Sequence, residues 1–500
     1  MKKLYVFILL FSSPFTFFGQ TIKYSISGVT NKSISILGAE ETKNHIDIGT
    51  KIEILYCLAD PTFGNCYIVK SNDSSFKISF SDIKRITFDT PSTREEVWQL
   101  IRINSDFDGL FITKGYQYDI RKDLEAEASD ALQNFEKYYG FFNDEFLEDY
   151  IQTLLYKIHR ITLNDGRPGN LAVKILKSCA PNAFCMPTGT IILTTGLLST
   201  IRSEDELIGV LAHEVAHFVL DQQMVNINKA ITRQKRAEFW SGFSTAIAAA
   251  SEAYLTAKYN YYPTGTLTIA TAMLSSSIAN SINDRIGASY NLDQEYEADN
   301  AATLVLTHLG KDPKALSAAL SRIQNYCILN GDYLALSGSG TYPALQSRIG
   351  KIGQVDPNAL NSLRYDQIIS LVNTYNSMNE YALQHLEATL NLTNRSIESG
   401  VGTEDDYLLK AMSVRLLFDT PEKNKEALEL INKAKTLNIA PHSYIYKEEA
   451  LTLIRLGRQK EASEALTNYL MSLESEKDVS SYVLDEIDWT KKMINKVTVL

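Results

Sequence analysis

Beyond residue 20, apolar and polar positions alternate along the chain. Tyr24-Ser25-Ile26-Ser27, Lys51-Ile52-Glu53-Ile54-Leu55, Tyr67-Ile68-Val69, Phe76-Lys77-Ile78-Ser79-Phe80 and Ile83-Lys84-Arg85-Ile86-Thr87-Phe88 each set hydrophobic side chains two residues apart. A period of two puts one set of side chains on one face of a strand, and Gly, Asn, Asp and Ser between the runs supply turns. Short strands of this kind predict a small β-barrel over residues 20–90.

From Thr93 the period becomes helical. Ser92-Thr93-Arg94-Glu95 opens an amphipathic run, and Asp123 to His159 reads as two helices. Leu171 to Leu176 and Thr190 to Thr194 are apolar enough for buried strands, and helices then dominate to about Ile352. Gly353 and Asp356-Pro357 mark a boundary near residue 355. Residues 356–500 read as helix throughout. Lys425-Glu426-Ala427 and Lys460-Glu461-Ala462 open similar runs 35 residues apart. Ala450 to Gly457, followed by Arg458-Gln459-Lys460-Glu461-Ala462, resembles the paired helices of a tetratricopeptide unit. The expected fold class is α+β, mostly α: a small N-terminal β-barrel, a mixed domain over 91–355 with its core at about 120–352, and a C-terminal α-helical repeat region.

Residues 1–19 read as an address. Lys2 and Lys3 precede an uncharged apolar run from Leu4 to Phe18, and Gly19-Gln20 offers a cleavage site. This predicts a secretory signal peptide and delivery to the bacterial periplasm or the medium. The stretch from Tyr259 to Asn283 is uncharged, but its Ser, Thr and Asn content and Pro263 make it poorly apolar. Membrane association is therefore expected to be peripheral at most. The chain of 500 residues is 45% hydrophobic and 22% charged, which excludes a disordered or fibrous protein. Its formal charge of -10, with no basic tract, argues against nucleic acid as a partner. Five cysteines are too few for a disulfide framework. Cys57 and Cys66 flank a turn between two strands and are expected to form a single bridge. Cys179 and Cys185 are expected to stay apart on an extended segment.

Candidate chemistry gathers at His213-Glu214-Val215-Ala216-His217, an H-E-x-x-H pattern. On a helix, residues four apart lie about 40° apart around the axis, so both imidazoles can reach one metal. Glu214 lies about 100° from His213 and is free to act on a metal-bound water. A helix is independently indicated by Ser203 and Glu206, which form an S-x-x-E capping box. Leu207, Ile208, Leu211, Val215, Phe218 and Val219 then share one face, and the histidines fall on the other. Glu295 and Asp299 are four apart in a second helical stretch and share a face, so one can bind metal while the other accepts an imidazole N–H. Glu297 is turned about 200° from Glu295, toward solvent or a salt-bridge partner.

Pro181-Asn182-Ala183-Phe184-Cys185-Met186-Pro187-Thr188-Gly189, the His213 motif and Glu295-x-x-Ala298-Asp299 occur in that order. This ordered set resembles the peptidase M forty-eight family of gluzincins, which includes HtpX-type and CAAX prenyl proteases. The resemblance implies a zincin-type metallopeptidase domain holding one zinc ion per chain. It implies His213, His217 and Glu295 as metal ligands, Glu214 as general base and Asp299 as the acceptor behind a ligand. Asn182, Ala183 and Phe184 fall on the family's substrate-pairing edge strand. Thr341 to Ile349 resembles a late His-Pro…Arg element. There Tyr342 replaces a common histidine and Arg348 matches, so these two are expected to support the site or its transition state. Asp221 also stands near a position often held by histidine.

The expected function is zinc-dependent endopeptidase action on protein or peptide substrates, namely exported proteins that are unfolded or misfolded. The C-terminal repeats would bind a protein partner or present substrate. The alternative is a chaperone-like or interaction scaffold whose zinc site is latent. Every expected ligand lies upstream of residue 355, so a chain ending there is expected to retain zinc.

Overall fold

A computed structural model describes residues 22–38, 44–60, 62–105, 116–138, 140–160, 170–222, 290, 292–329, 345–437, 443–475 and 481–499. The expected signal peptide at 1–19, the stretch 259–283 and Tyr342 lie outside the described residues. The chain forms two compact units, one of residues 1–120 with 163–168 and one of residues 121–162 with 169–500.

The first unit holds β1 (Ile22–Thr30), β2 (Ile34–Ser35), β3 (His45–Ile46), β4 (Lys51–Asp60), β5 (Gly64–Ser71), β6 (Ser74–Ser79) and β7 (Ile86–Phe88), followed by α1 (Arg94–Asn104). Five strands make an antiparallel sheet in the order β6-β5-β4-β1-β7, and β2 pairs with β3 as a separate ribbon. The strands follow the alternation in the sequence, but the sheet is open rather than a closed barrel. A 3-10 turn over Phe80–Arg85 carries the chain from one edge to the other, and β7 has three residues, all laddered onto β1. Alternation reports which residues face a core. It does not report whether the two edge strands meet. The expected Cys57–Cys66 bridge is absent, and both thiols are free and buried. The β4–β5 register sets Cys57 opposite Tyr67 and Cys66 opposite Leu58. A pair one residue out of register points to opposite faces of the sheet.

The second unit takes in α2 (Tyr116–Tyr138) from Arg121 onward, then α3 (Glu145–Ile158), β8 (Ala172–Leu176), β9 (Ala183–Cys185) and β10 (Thr190–Thr194). The strand order is β8-β10-β9, with β8 parallel and β9 antiparallel to the central β10. Then come α4 (Thr195–Thr200), α5 (Glu204–Val219), α6 (Leu292–His308), α7 (Ala315–Leu329) and α8 (Leu345–Ile352). Every residue of α5 from Glu206 to Val219 is buried. The helix has no solvent face, so the side opposite the apolar stripe is covered as well. At Gly209 a Cβ would meet the backbone of Leu316 at 3.1–3.2 Å, so glycine permits the close approach of α5 and α7.

The remaining helices are α9 (Leu363–Ile368), α10 (Ser370–Ala382), α11 (Leu386–Glu398), α12 (Glu404–Leu417), α13 (Pro421–Leu437), α14 (Tyr444–Arg455), α15 (Gln459–Glu474) and α16 (Ser481–Val499). Successive helices pack through small and branched side chains, such as Ala411, Ala427, Ile431 and Ile445 in one cluster and Ala450, Ala462 and Leu466 in the next. Gly457 (φ 71°) ends α14 in the left-handed conformation, and Arg458 N–H bonds back to Leu453 O. This places the expected helix–turn–helix at Ala450 to Ala462. The helical region is continuous with the sheet-and-helix part. Tyr365 Oη donates to Leu198 O at 3.1 Å, Asn376 Nδ2 donates to Ser199 Oγ at 2.7 Å, and Arg202 donates to Asp366 at 3.0 Å. Among the described residues, no helix is long and apolar enough to cross a membrane.

Candidate metal centre

The start of α5 is fixed locally. Ser203 Oγ accepts from Glu206 N–H at 3.1 Å, and the Glu206 carboxylate accepts from Arg202 N–H at 3.2 Å. The helix then carries His213 and His217 one turn apart, with Glu214 next to the first, while α6 supplies Glu295 and Asp299. All five side chains are buried. His213 Nε2 and His217 Nε2 stand 3.0 Å apart. Glu295 Oε2 lies 3.4 Å from the first nitrogen, and Glu295 Oε1 lies 3.6 Å from the second. Bonds of 2.0–2.1 Å at a tetrahedral angle would separate zinc ligands by about 3.3 Å. The buried Glu295 Oε2 makes no hydrogen bond of proper geometry. His213, His217 and Glu295 therefore form a donor set that fits a metal ion.

Each ring is held from behind at Nδ1. Asp299 Oδ1 lies 3.0 Å from His213 Nδ1, as the four-residue spacing of Glu295 and Asp299 predicts. Arg348, buried on α8, donates to both Asp299 oxygens at 2.9 and 2.6 Å and places Nη1 3.0 Å from Glu295 Oε2. His217 Nδ1 instead meets Gln222 Oε1 at 2.6 Å, and its ring stacks on Tyr290 at 3.7 Å between centroids. Gln222 Nε2 donates to Glu297 Oε2 at 2.9 Å. Glu297 is thus turned away from Glu295 and, half-buried, accepts from the residue behind His217. Asp221 has φ 55°, in the left-handed region, and pairs with the buried Arg121. No spacing rule points to Gln222, which lies beyond the end of α5; its contacts arise only through this turn.

Burial and the Arg348 charge both oppose protonation of His213, but the Asp299 and Glu295 carboxylates outweigh them and raise its pKa to about 9. Burial, with the charge on His213, lowers His217 to about 3. Burial alone would raise Glu295, yet Arg348 and the two histidines bring it down to about 2. Asp299 is likewise held well below the carboxylate range, because Arg348 and His213 overcome its burial. Glu214 moves the other way. Burial and the Glu295 charge raise it to about 7, against His213, Arg348 and a hydrogen bond from the Cys185 backbone.

That Cys185 contact joins the site to β9, an edge strand. Thr194 N–H bonds to Asn182 O, and Met186 N–H bonds to Thr190 O. The backbones of 182, 184 and 186 therefore face β10, while those of Ala183 and Cys185 face outward. Phe184 is buried, with its ring 6.1 Å from that of Phe135, whereas Asn182 is half-buried and its N–H donates to Thr194 Oγ1 at 2.9 Å. Of the three residues expected along the edge, Ala183 presents its backbone groups to the open side.

A helix bearing H-E-x-x-H, joined by a glutamate from a second helix, defines a metallopeptidase-type centre. Residues 150–356 match the model of Peptidase family M48. It is also similar to the mitochondrial metalloendopeptidase OMA1 of Schizosaccharomyces pombe, at 26% identity over 246 residues. That match takes in 48% of this chain, and the chain spans 64% of the relative's length. Metallopeptidases of this family use zinc, and the His213, His217 and Glu295 cluster fits it.

Proposed function

We propose that the chain is a zinc metalloendopeptidase acting on exported proteins that are unfolded or misfolded. The observation that supports this most directly is the Glu214 carboxylate beside the His213–His217–Glu295 triangle, hydrogen-bonded by the backbone of the adjacent edge strand. His213, His217 and Glu295 would hold the ion, which when bound polarises a carbonyl and acidifies a water. Glu214, raised to about 7, accepts a proton near neutral pH and delivers it to the departing amine. Asp299 and Arg348 keep the ligand side chains in place. The outward backbone groups of Ala183 pair with an extended substrate, with buried Phe184 and the Asn182 backbone bonds to Thr194 fixing that strand. Backbone pairing of this kind selects for extended chain more than for side chains, which suits unfolded proteins. The helices beyond residue 356 form the repeats that bind a partner or present substrate. The leader at 1–19 directs the enzyme to the periplasm or the medium.

The test compares purified full-length wild type with Glu214→Gln on denatured casein, with zinc content measured in both. Wild type should cleave, and the variant should keep zinc without cleaving. Equal cleavage by both would defeat the assignment. A zinc-loaded wild type that binds unfolded chains and cleaves none would favour the scaffold with a latent site.

A further inference from the structure

We infer that Gln222 and Glu297 form an amide relay that fixes His217 in the tautomer whose Nε2 lone pair faces the metal position. The inference rests on the metallopeptidase reading and adds two positioning residues to it. It follows from donor and acceptor chemistry. An ionised carboxylate only accepts, so the Gln222 group 2.9 Å from Glu297 Oε2 is the NH2. The Gln222 atom 2.6 Å from His217 Nδ1 is then the carbonyl oxygen, which also only accepts. Nδ1 must therefore carry the hydrogen, and the neutral ring keeps its lone pair on Nε2. That nitrogen is the one 3.6 Å from Glu295 Oε1. The two histidines are oriented by different devices. His213 meets a carboxylate directly, whereas His217 meets a neutral amide with its carboxylate one residue further back.

The turn that makes this possible is built separately. Asp221 takes a left-handed conformation, uncommon for residues other than glycine, and is held there by the buried Arg121. The following residue, Gln222, is thereby brought back against the ring five positions before it. Tyr290 closes one face of that ring. On this reading Glu297, although turned away from Glu295, supports the metal site through Gln222.

The test measures zinc affinity of the metal-stripped full-length chain by competition with a chelator. Gln222→Leu and Glu297→Ala should each weaken zinc by about 10–100-fold, the usual range for a lost partner of a metal-binding histidine. Glu297→Gln should stay near wild type, because its amide oxygen can still accept from Gln222. The reversed pair, Gln222→Glu with Glu297→Gln, should keep the affinity that either truncation loses, since the carboxylate at 222 still accepts from His217 Nδ1–H and the amide NH2 at 297 donates to it, so each bond keeps one donor and one acceptor. A residue that merely fills space would show no such recovery. Wild-type affinity in Gln222→Leu overturns the relay. If Gln222→Leu does not fold, the reversed pair decides, because it keeps size and shape; a tenfold or greater loss there overturns the relay. A wild type that takes up no zinc refutes the metallopeptidase reading and the relay together. Tight zinc in the wild type with no change in the variants refutes the relay alone.

Discussion

Arg395 Nη2 lies 2.6 Å from Asp366 Oδ1, and both side chains are buried where the helical region meets α4. The same guanidinium donates to the carbonyl oxygens of Ser199 and Ile201, just before the helix of the metal site. Removing one partner of a buried ion pair costs about 3–5 kcal/mol. Arg395→Ala should therefore lower the melting temperature markedly, and calorimetry of the full-length chain checks it. A chain ending at Val355 loses Arg395, Asp366, Tyr365 and Asn376 together. It is expected to be insoluble rather than a zinc-binding core, in contrast to the expectation from ligand positions alone. A soluble, folded, zinc-loaded truncation would refute this.

The metal ligands and their partners should separate by measurement. Glu295→Ala should abolish zinc binding. Asp299→Ala should weaken it by about 10–100-fold. Arg348→Met strips the positive charge from two buried carboxylates. Its metal-free form should therefore melt well below the metal-free wild type. Zinc should restore much of that difference, because bound metal stabilises only the folded state. Equal melting of Arg348→Met and wild type without metal would count against the pairing of Arg348 with Glu295 and Asp299.

At Gly196 an added Cβ would lie 2.0 Å from Cys179 O and 2.7 Å from the Ala180 backbone. Backbone atoms cannot step aside as a flexible side chain can, so Gly196→Ala should destabilise by about 3 kcal/mol or more. Denaturant unfolding of this variant beside wild type gives the number. A midpoint unchanged from wild type would show that the backbone at Cys179 relaxes freely.

Glu448 is buried on α14, with Arg415 Nε and Nη2 at 2.9 and 2.7 Å from Glu448 Oε2. Burial raises its pKa more than Arg415 lowers it. A carboxyl with a raised folded pKa binds more protons folded than unfolded, so its contribution to stability falls as pH rises from 4.5 through the folded value. Glu448→Gln cannot titrate. Its stability should therefore change less with pH across that window than that of wild type, as thermal melts in a pH series would reveal. A steeper slope in the variant would contradict the assigned direction.

What the sequence determined by itself is what lies within one element. The helical period placed His213 and His217 one turn apart on one face, set Glu214 about 100° from His213, and put Asp299 on the Glu295 face. The Ser203–Glu206 box marked where α5 starts, and the two-residue alternation found the strands of the first unit. These are short-range rules, set by backbone geometry a few residues wide. Whether the N-terminal strands close, and which strand residues stand opposite one another, depends on edge contacts and register. The sheet is accordingly open, and Cys57 sits one residue out of step with Cys66. Burial on both sides of α5 follows from helices far along the chain that cover its second face. Arg348, 135 residues from His213, and Glu297, 75 from Gln222, reach the site only because packing brings α8, α6 and the Asp221 turn together. No periodicity encodes a contact across such a gap. The donors around a metal, the partners that orient them and the anchoring of the helical region to α4 are therefore decisions of the tertiary structure.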